Sequence, residues 1–495
     1  MKDSNTIKRS CKLSPLAAAL VTLFACNASH AGATSLVAVP VTSCLDDGSP
    51  GTLRTILSEA AGGADVDLGG LTCSSITLTQ GPIDMSATGP HPLGSVTIRG
   101  PTDAMLTIDG GGADQVFVHG NAPPNIGSLK ITHLTIAHGY STSEQAACIA
   151  SSGNVSLDHV TVTDCHVSAS VQSVQGGAIG VLGDLDVTSS TISASSASNA
   201  VADAAGGGMF VGGQLLLTRS VVNGNSVAGT GLSAFGFTGG GGVFAVGDIH
   251  IVESTISANE ASGTQVAYGG GVLGLRNIVL EKSLVTGNIS SFGGGGLSKS
   301  EDRNDIDHYS RGVTIIDTTI SGNSAQFDGG LGGLYALTIE NSTITGNHAT
   351  HSTGGVYFLG FPDALLIHSS IIANNTAADT STHAADLSTA NGGPFTAPVS
   401  VAGNSNLIAS WDTLITVPSD TLVSDPMLGA LADNGGPTWS HALLSGSPAI
   451  DAGDNFFGLP TDQRGAPRVA GSRADIGAYE LAQPAYDTVF ANGFD

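Results

Sequence analysis

The densest group of side chains that could hold a metal ion lies between residues 301 and 311. Asp302, Asp305 and Asp307 follow one another closely there, and carboxylate oxygens are ligands that Ca²⁺ prefers. The segment is the longest insertion between copies of a repeated phrase, and inserted loops often carry the function of repeat proteins. These three residues are therefore candidate calcium ligands. The alternative is a solvated polar loop with no ligand.

Cleavage of a polysaccharide would require other groups. A lyase needs a basic residue and a means of neutralising the substrate carboxylate, often calcium, whereas a hydrolase needs two carboxylates about 5 to 10 Å apart. Beyond residue 31 the lysines are Lys130, Lys282 and Lys299, and the pair Asp46 and Asp47 is predicted to lie in a turn. The sequence therefore assigns no catalytic residue.

Two further sets of polar residues favour structural roles. Three arginines lie close in sequence to four carboxylates, which predicts an ionic knot that closes the open end of a coil; an Arg–carboxylate catalytic site is the alternative. The residues are Arg464, Arg468, Arg473, Asp451, Asp462, Asp475 and Glu480. His133, His138 and His159 lack metal-ligand spacing, and we expect them at surface or corner positions.

The elements that would position these residues are read from an eleven-residue phrase, hydrophobic-x-hydrophobic-x-x-Ser-Thr-Ile-x-x-Asn. It is clearest as LTIENSTITGN from Leu337 and as IHIVESTISAN from Ile249. Nine copies begin 24 to 35 residues apart, between Leu129 and Leu365. This spacing with period-2 alternation predicts an all-β solenoid, a right-handed parallel β-helix. Gly-rich phrases such as GGGVLG at Gly269 are predicted to form its tight corners.

Stacking the copies predicts columns of like residues. One column is apolar, one consists of inward serines including Ser254 and Ser342, and one consists of asparagines at a left-handed corner. The apolar column is Ile192, Val222, Ile256, Val285, Ile320, Ile344 and Ile372, and the corner column is Asn225, Asn259, Asn288, Asn323, Asn347 and Asn375. The outward positions are rich in Thr and Ser. A flat hydroxyl face could contact glycans, although Thr is also simply a good strand residue.

The N-terminus is typical of an export signal, with basic residues followed by an apolar stretch from Leu16 to Ala25. We expect cleavage after Ala31, and the alternative is a lipoprotein acylated at Cys26. Without residues 1–31 the formal charge is 12 − 40 = −28, which excludes a nucleic-acid partner because such partners require a basic surface. No transmembrane segment is expected in the mature chain.

Four cysteines remain after cleavage: Cys44, Cys73, Cys148 and Cys165. An even number in an exported chain favours disulfides. Three pairings are possible, and proximity in sequence favours Cys44–Cys73 and Cys148–Cys165. A zinc site lacks the C-x-x-C spacing that it would need.

These phrases resemble secreted bacterial β-helix proteins of the pectate-lyase-like superfamily, and the paired GGAI-type and Asn-ending phrases resemble polymorphic outer-membrane proteins. The phrase DPMLGALADNGGPTWSHALLSGSPAIDAGDN and the following TDQRGAPRVAGSRADIGAYE resemble a choice-of-anchor domain. Together the matches cover nearly all of residues 40–480. The final YDTVFANGFD is similar to short sorting tails of secreted proteins.

The expected organisation is a signal peptide over 1–31, an N-terminal region with the first coils over 32–128, and β-helix repeats over 129–389. A capping or anchor-associated segment over 390–480 and a tail over 481–495 follow. The expected function is that of a non-catalytic, adhesin-like extracellular or surface protein that contacts a polysaccharide or a cell-surface glycan. The alternatives are a polysaccharide lyase or glycoside hydrolase and a structural spacer. No cofactor is expected, except that calcium is possible.

Overall fold

The computed structural model describes residues 38–482 apart from 87–93, 104, 121–126, 144, 171, 231–237, 301–310, 335, 361–363, 382 and 391–397. Up to Thr416 the described chain is the predicted right-handed parallel β-helix, in which strands of successive coils pair in parallel along long sheets. Such parallel connections are right-handed in nearly all proteins. Within the described part, one helix, Leu53–Glu59, precedes the coils.

The largest sheet, sheet A, contains 22 strands among the described residues, and most coils contribute two of them, separated by a corner. Its strands are Val39–Pro40, Ala64–Asp67, Ser75–Thr77, Val96–Arg99, Leu106–Asp109, Ser128–Ala137, Asn154–Thr163, Leu185–Thr188, Thr191–Ser193, Leu215–Thr218, Val221–Asn223, Ile249–Val252, Thr255–Ser257, Ile278–Glu281, Leu284–Thr286, Val313–Ile316, Thr319–Ser321, Leu337–Glu340, Thr343–Thr345, Leu365–His368, Ile371–Ala373 and Leu407–Ile408.

Three smaller parallel sheets complete the coils. Sheet B contains Ile83–Ser86, Phe117–Gly120, Ile149–Ser151, Ile179–Val181, Met209–Val211, Val243–Ala245, Val272–Gly274, Leu297–Lys299, Leu331–Leu334, Val356–Phe358 and Leu387–Thr389. Sheet C contains Tyr140–Ser141, His166–Ala169, Ser196–Asn199, Ser226–Gly229, Glu260–Gly263, Ile289–Ser290, Ser324–Ala325, His348–Ala349 and Thr376–Ala377. Sheet D contains Val174–Gln175, Ala204–Ala205, Thr238–Gly239 and Ala267–Tyr268.

The interior is the predicted stack of apolar columns. Neighbouring members of the column from Ile192 to Ile372 pair in register, and all seven side chains are fully buried. The inward serines also form a column, in which the backbone N–H of Ser254 donates to Ser283 Oγ at 3.2 Å. A coil cannot bury its apolar side chains alone, so each coil depends on its neighbours for stability.

The asparagine column is observed, but its backbone differs from the prediction. The left-handed conformation belongs to the residue before each Asn, such as Gly287 with a φ of 63° and Ala258 with a φ of 52°. The Asn side chain instead turns inward, and its amide bonds to the next coil, as in Asn259 Nδ2 to Asn288 Oδ1 at 2.9 Å. Because the preceding residue makes the turn, the Asn side chain can point inward and form hydrogen bonds with backbone groups of the neighbouring coil, as Asn288 does with Asn259 N and Ile256 O.

Both favoured disulfides are present, Cys44–Cys73 and Cys148–Cys165. Cys165 lies at the corner position that Asn occupies in later coils, one coil before Ser195 and two coils before Asn225. No helix in the described part of the chain is long and apolar enough to cross a lipid bilayer.

The C-terminal part of the chain leaves the coils and lies against the side of sheet A. Parallel pairing continues past Thr389 through Leu407–Ile408 and through the pair Val399–Ser400 and Ile415–Thr416. An antiparallel hairpin follows, formed by Leu428–Ala432 and Ser440–Leu443. We call residues 426–482 the C-terminal segment. Its contacts reach from Lys282 to Ser369, for example Thr438 Oγ1 to Lys282 O at 3.0 Å and Gly477 N to Ser369 O at 2.8 Å.

The predicted ionic knot is present in this segment, but it does not close the end of the coil. The fully buried Arg468 donates to Asp317 Oδ1 at 3.3 Å and to Glu480 Oε2 at 3.1 Å. Arg464 bonds to Asp462 and stacks on the ring of Tyr479. The knot therefore fixes the C-terminal segment to the coil side, because Asp317 lies at the corner between two strands of sheet A and its partner Arg468 belongs to the segment.

Candidate functional site

The candidate calcium ligands Asp302, Asp305 and Asp307 lie outside the described residues, so their assignment stays a prediction. Among the residues that are described, no three His, Cys, Asp or Glu side chains converge in a way that could hold a metal ion. The histidines singled out in the sequence, His133, His138 and His159, occupy left-handed corners with φ near 55° and are exposed or half-exposed.

The predicted hydroxyl face of sheet A is divided by the C-terminal segment. Thr319, Ser321, Thr343 and Thr345 are buried beneath it. Thr319 Oγ1 donates to Gln463 Oε1 at 2.6 Å, and Ser321 Oγ lies 2.8 Å from His441 Nε2. These hydroxyls therefore bind the chain itself. The outward hydroxyls of earlier coils, from Thr161 to Ser257, remain half-exposed.

A groove of about 660 Å³ lies at the C-terminal ends of four adjacent strands of sheet C. It is lined by the same three positions of four successive coils, residues 168–170, 198–200, 228–230 and 262–264. None of these twelve lining residues carries a charge: they are serines, alanines, glycines, threonines and one asparagine. Adjacent strands lie about 4.8 Å apart, so the groove runs along the coil axis for about 15 Å.

Small side chains keep the groove open. The strands pair in register here, so that Ala228 lies between Ser198 and Ser262. A Cβ atom on Gly229 would lie 2.3 Å from Thr238 Oγ1. The hydroxyls of Thr230 and Thr238 are buried and have no hydrogen-bond partner among the described residues. The lining serines, threonines and backbone groups can form hydrogen bonds with a ligand, but the groove offers no ionic contact.

A second polar site lies on the exposed half of sheet A, where Lys130, Asp158 and Asp186 all point outward. Lys130 pairs with Ser156, and Ser156 pairs in turn with Asp186, so three neighbouring coils bring these charges together. Partial burial raises the pKa of Asp186, and the neighbouring carboxylate of Asp158 raises it further, while Thr188 and Lys130 oppose the shift. The sequence pattern did not single out this cluster, because its members lie 28 residues apart along the chain.

A line of His and Asp side chains runs along the adjoining corner. His138 Nδ1 lies 3.0 Å from Asp109 Oδ1, and His138 Nε2 lies 3.5 Å from Asp164 Oδ2. His166 then contacts Asp164 Oδ1 and Ser196 Oγ, each at 2.8 Å. His348 and Thr376 form a similar in-register pair at 2.9 Å. The His166–Ser196 contact is therefore an ordinary neighbour pair of this sheet, and we assign it no catalytic role.

No family model matches the sequence, and no curated protein matches it either. Among solved structures, the chain is similar to one described as the crystal structure of pectate lyase Pel9A. The identity is 11% and the TM-score 0.39, with 90% of this chain and 97% of that chain covered. The assignment of the chain to the parallel β-helix fold rests on its own strand pairing.

Proposed function

We propose that this chain is an exported, non-catalytic protein that binds a neutral glycan in the groove along sheet C. The observation that carries the proposal is the lining of the groove, in which none of the twelve residues is charged and four coils repeat the same small polar positions. A glycan chain repeats along its length as the coils do. Its hydroxyls can both donate to and accept from Ser, Thr, Asn and backbone groups.

The charge of the chain supports a neutral ligand. The full sequence has a formal net charge of −25, so an acidic polysaccharide would be repelled over the whole surface. No basic side chain lines the groove to offset this repulsion. The two disulfides support export, because disulfides persist in oxidising compartments.

The test compares two equivalent alanines. Ala228 lines the groove two residues after Ser226, and Ala378 lies two residues after Thr376, which occupies the same column five coils further on. We expect the Ala228→Trp variant to bind a neutral oligosaccharide at least about tenfold more weakly, because the indole fills the groove. The Ala378→Trp variant should bind as the parent chain does.

Binding is measured by calorimetry against neutral and uronate oligosaccharides of equal length. The proposal is supported if the parent chain binds neutral oligosaccharides and the Ala228→Trp variant does not. Equal binding by both variants, or preference for uronates, would contradict it. The same incubations are assayed for new chain ends, because cleavage is the competing function.

Glycan cleavage is the second candidate, and the outward cluster of Lys130, Asp158 and Asp186 favours it. Two carboxylates on neighbouring coils with a basic side chain beside them could supply general acid–base chemistry. If this candidate holds, the Asp186→Asn variant loses the formation of new chain ends. The matched control Asp379→Asn, at an exposed carboxylate that bonds only to Ser381 in the described structure, keeps it.

A further inference from the structure

The interface between the C-terminal segment and sheet A contains buried polar atoms that lack partners. Glu340 and Asn341 are both fully buried. Neither carboxylate oxygen of Glu340, and neither polar atom of the Asn341 amide, has a hydrogen-bond partner among the described residues. Asp317 Oδ2 is unpartnered too. Leaving such atoms unsatisfied is costly, since even one buried polar group without a partner costs about 1–3 kcal/mol.

These atoms lie together at one corner. Ile316 pairs with Glu340 and Glu340 with His368, so the next residues, Asp317, Asn341 and Ser369, form a column of successive coils. Asp317 and Ser369 both contact the C-terminal segment. Asp317 Oδ1 accepts from Arg468, and Ser369 Oγ donates to Asp454 O at 2.6 Å. Asn341 lies between them in this column.

The charges at this corner do not balance. Arg468 is already shared between Asp317 and Glu480, whereas Glu340 forms no ion pair among the described residues. Burial raises the pKa of Glu340 to about 8, and the neighbouring carboxylates of Asp317 and Asp454 contribute to this increase. Burial likewise raises the pKa of Asp317 to about 7. Arg468 lowers the pKa of both carboxyls and Lys282 lowers that of Asp317, but burial outweighs these charges, so a further cation would stabilise the two carboxylates.

We propose that a hard divalent cation of the Ca²⁺ class binds at this corner, held by the oxygens of Glu340, Asn341 and Asp317. The set contains four unpartnered oxygens from two carboxylates and one amide, with no sulfur or imidazole. Ca²⁺ accepts such mixed oxygen ligands and completes its shell with backbone oxygens or water. Bound there, the ion joins the C-terminal segment to the coils. This site is separate from the predicted ligands Asp302, Asp305 and Asp307.

The experiment uses the full chain, stripped with a chelator and titrated with Ca²⁺ by equilibrium dialysis and thermal unfolding. We expect one ion to bind at this corner and raise the unfolding midpoint. The ion should also protect the C-terminal segment from limited proteolysis. The Glu340→Gln variant should bind at least about tenfold more weakly, since even outer-shell changes cost 10–100-fold.

The matched control is Glu281→Gln. Glu281 lies in the same column two coils before Glu340, but it is outside the buried corner and contacts His250 at 3.2 Å. The Glu281→Gln variant should bind Ca²⁺ as the parent chain does. In chelator, Glu340→Gln should be about as stable as the parent, because both side chains are buried there without a partner and have nearly the same size.

Three results would overturn the proposal. The first is the absence of Ca²⁺ binding. The second is binding that Glu340→Gln leaves unchanged and Asp305→Asn abolishes, which would place the ion in the inserted loop. The third is a Glu340→Gln variant less stable than the parent in chelator, which would show that the carboxylate has a structural partner. Should Glu340→Gln fail to fold, Asn341→Ala tests the same site.

Discussion

The asparagine column makes a quantitative prediction for Asn288, which lies in its middle. The Asn288 side chain is fully buried and makes four hydrogen bonds. Its Oδ1 accepts from Asn259 N at 3.0 Å and from Asn259 Nδ2 at 2.9 Å. Its Nδ2 donates to Ile256 O at 3.0 Å and to Asn323 Oδ1 at 2.9 Å. Replacing this side chain therefore affects three coils at once.

The Asn288→Ala variant leaves two buried N–H groups of Asn259 without partners and removes one of the bonds that the carbonyl of Ile256 accepts. Asn323 Oδ1 keeps its bond from the Asn288 backbone at 3.0 Å. At about 1 kcal/mol or more for each orphaned group, the free energy of unfolding should fall by at least about 2 kcal/mol. The cavity left by the amide adds to this loss.

The assay is urea unfolding followed by far-ultraviolet circular dichroism, with hydrogen exchange of the Asn259 amide as a local measure. The matched control is Asn223→Ala, because Asn223 is exposed and its amide only accepts from Ser257 Oγ at 3.0 Å. It should change stability by less than about 0.5 kcal/mol. A loss below about 1 kcal/mol for Asn288→Ala, or equal losses for the two variants, would refute this account of the column.

Three other predictions concern a buried ion pair, a disulfide and a buried histidine. Asp46→Asn should cost about 2–3 kcal/mol in urea unfolding and Asp47→Asn almost nothing, because Asp46 is buried against Arg54 at 2.7 Å whereas Asp47 is exposed. Burial alone would raise the pKa of Asp46, but Arg54 and two backbone N–H groups hold it below its usual range. The difference between the two variants should therefore be complete at pH 7 and shrink as the pH falls below about 4; a difference that persists at pH 2 would contradict this. Removing the Cys148–Cys165 disulfide, which closes a separation of 17 residues, should cost about 3 kcal/mol, and an unchanged thermal midpoint under reducing conditions would argue against it. Burial lowers the pKa of His441, so protonating this side chain between pH 7 and 5 should loosen the C-terminal segment. Limited proteolysis of the segment measures this effect. The His441→Asn variant is the control and should respond less to the change in pH.

Much of the fold could be predicted from local pattern. In a solenoid, residues about one coil apart in the sequence are in direct contact. Aligning the copies of the phrase that ends in Asn therefore predicts which residues of neighbouring coils pair. The pairing of Ile256 with Val285 and the inward position of Ser254 were predicted for this reason. The disulfide pairing was predicted because each cysteine lies close in sequence to its partner.

The parts that were not predicted depend on long-range packing. The fold-back of the C-terminal segment joins residues as distant as Lys282 and Thr461, 179 positions apart, and no repeat links them. The segment buries Thr319, Ser321, Thr343 and Thr345, which belong to the hydroxyl face that the sequence offered as a possible glycan contact. Asp46 was predicted to lie in a turn, yet it is a buried hub that accepts from Arg54 and from the backbone of Thr79 and Gln80.

The sequence by itself thus determined the coil, its inward columns and its covalent cross-links. The coil and its columns follow from the eleven-residue phrase that neighbouring coils repeat, and the cross-links follow from cysteines that lie close in sequence. Only the tertiary structure decided which outward surfaces remain open. The uncharged groove along sheet C arises from small residues of four coils, and the buried corner at Glu340 arises where a non-repeating segment meets a repeating one. Outward positions carry no register constraint from the core, so their surroundings depend on whatever part of the chain packs over them.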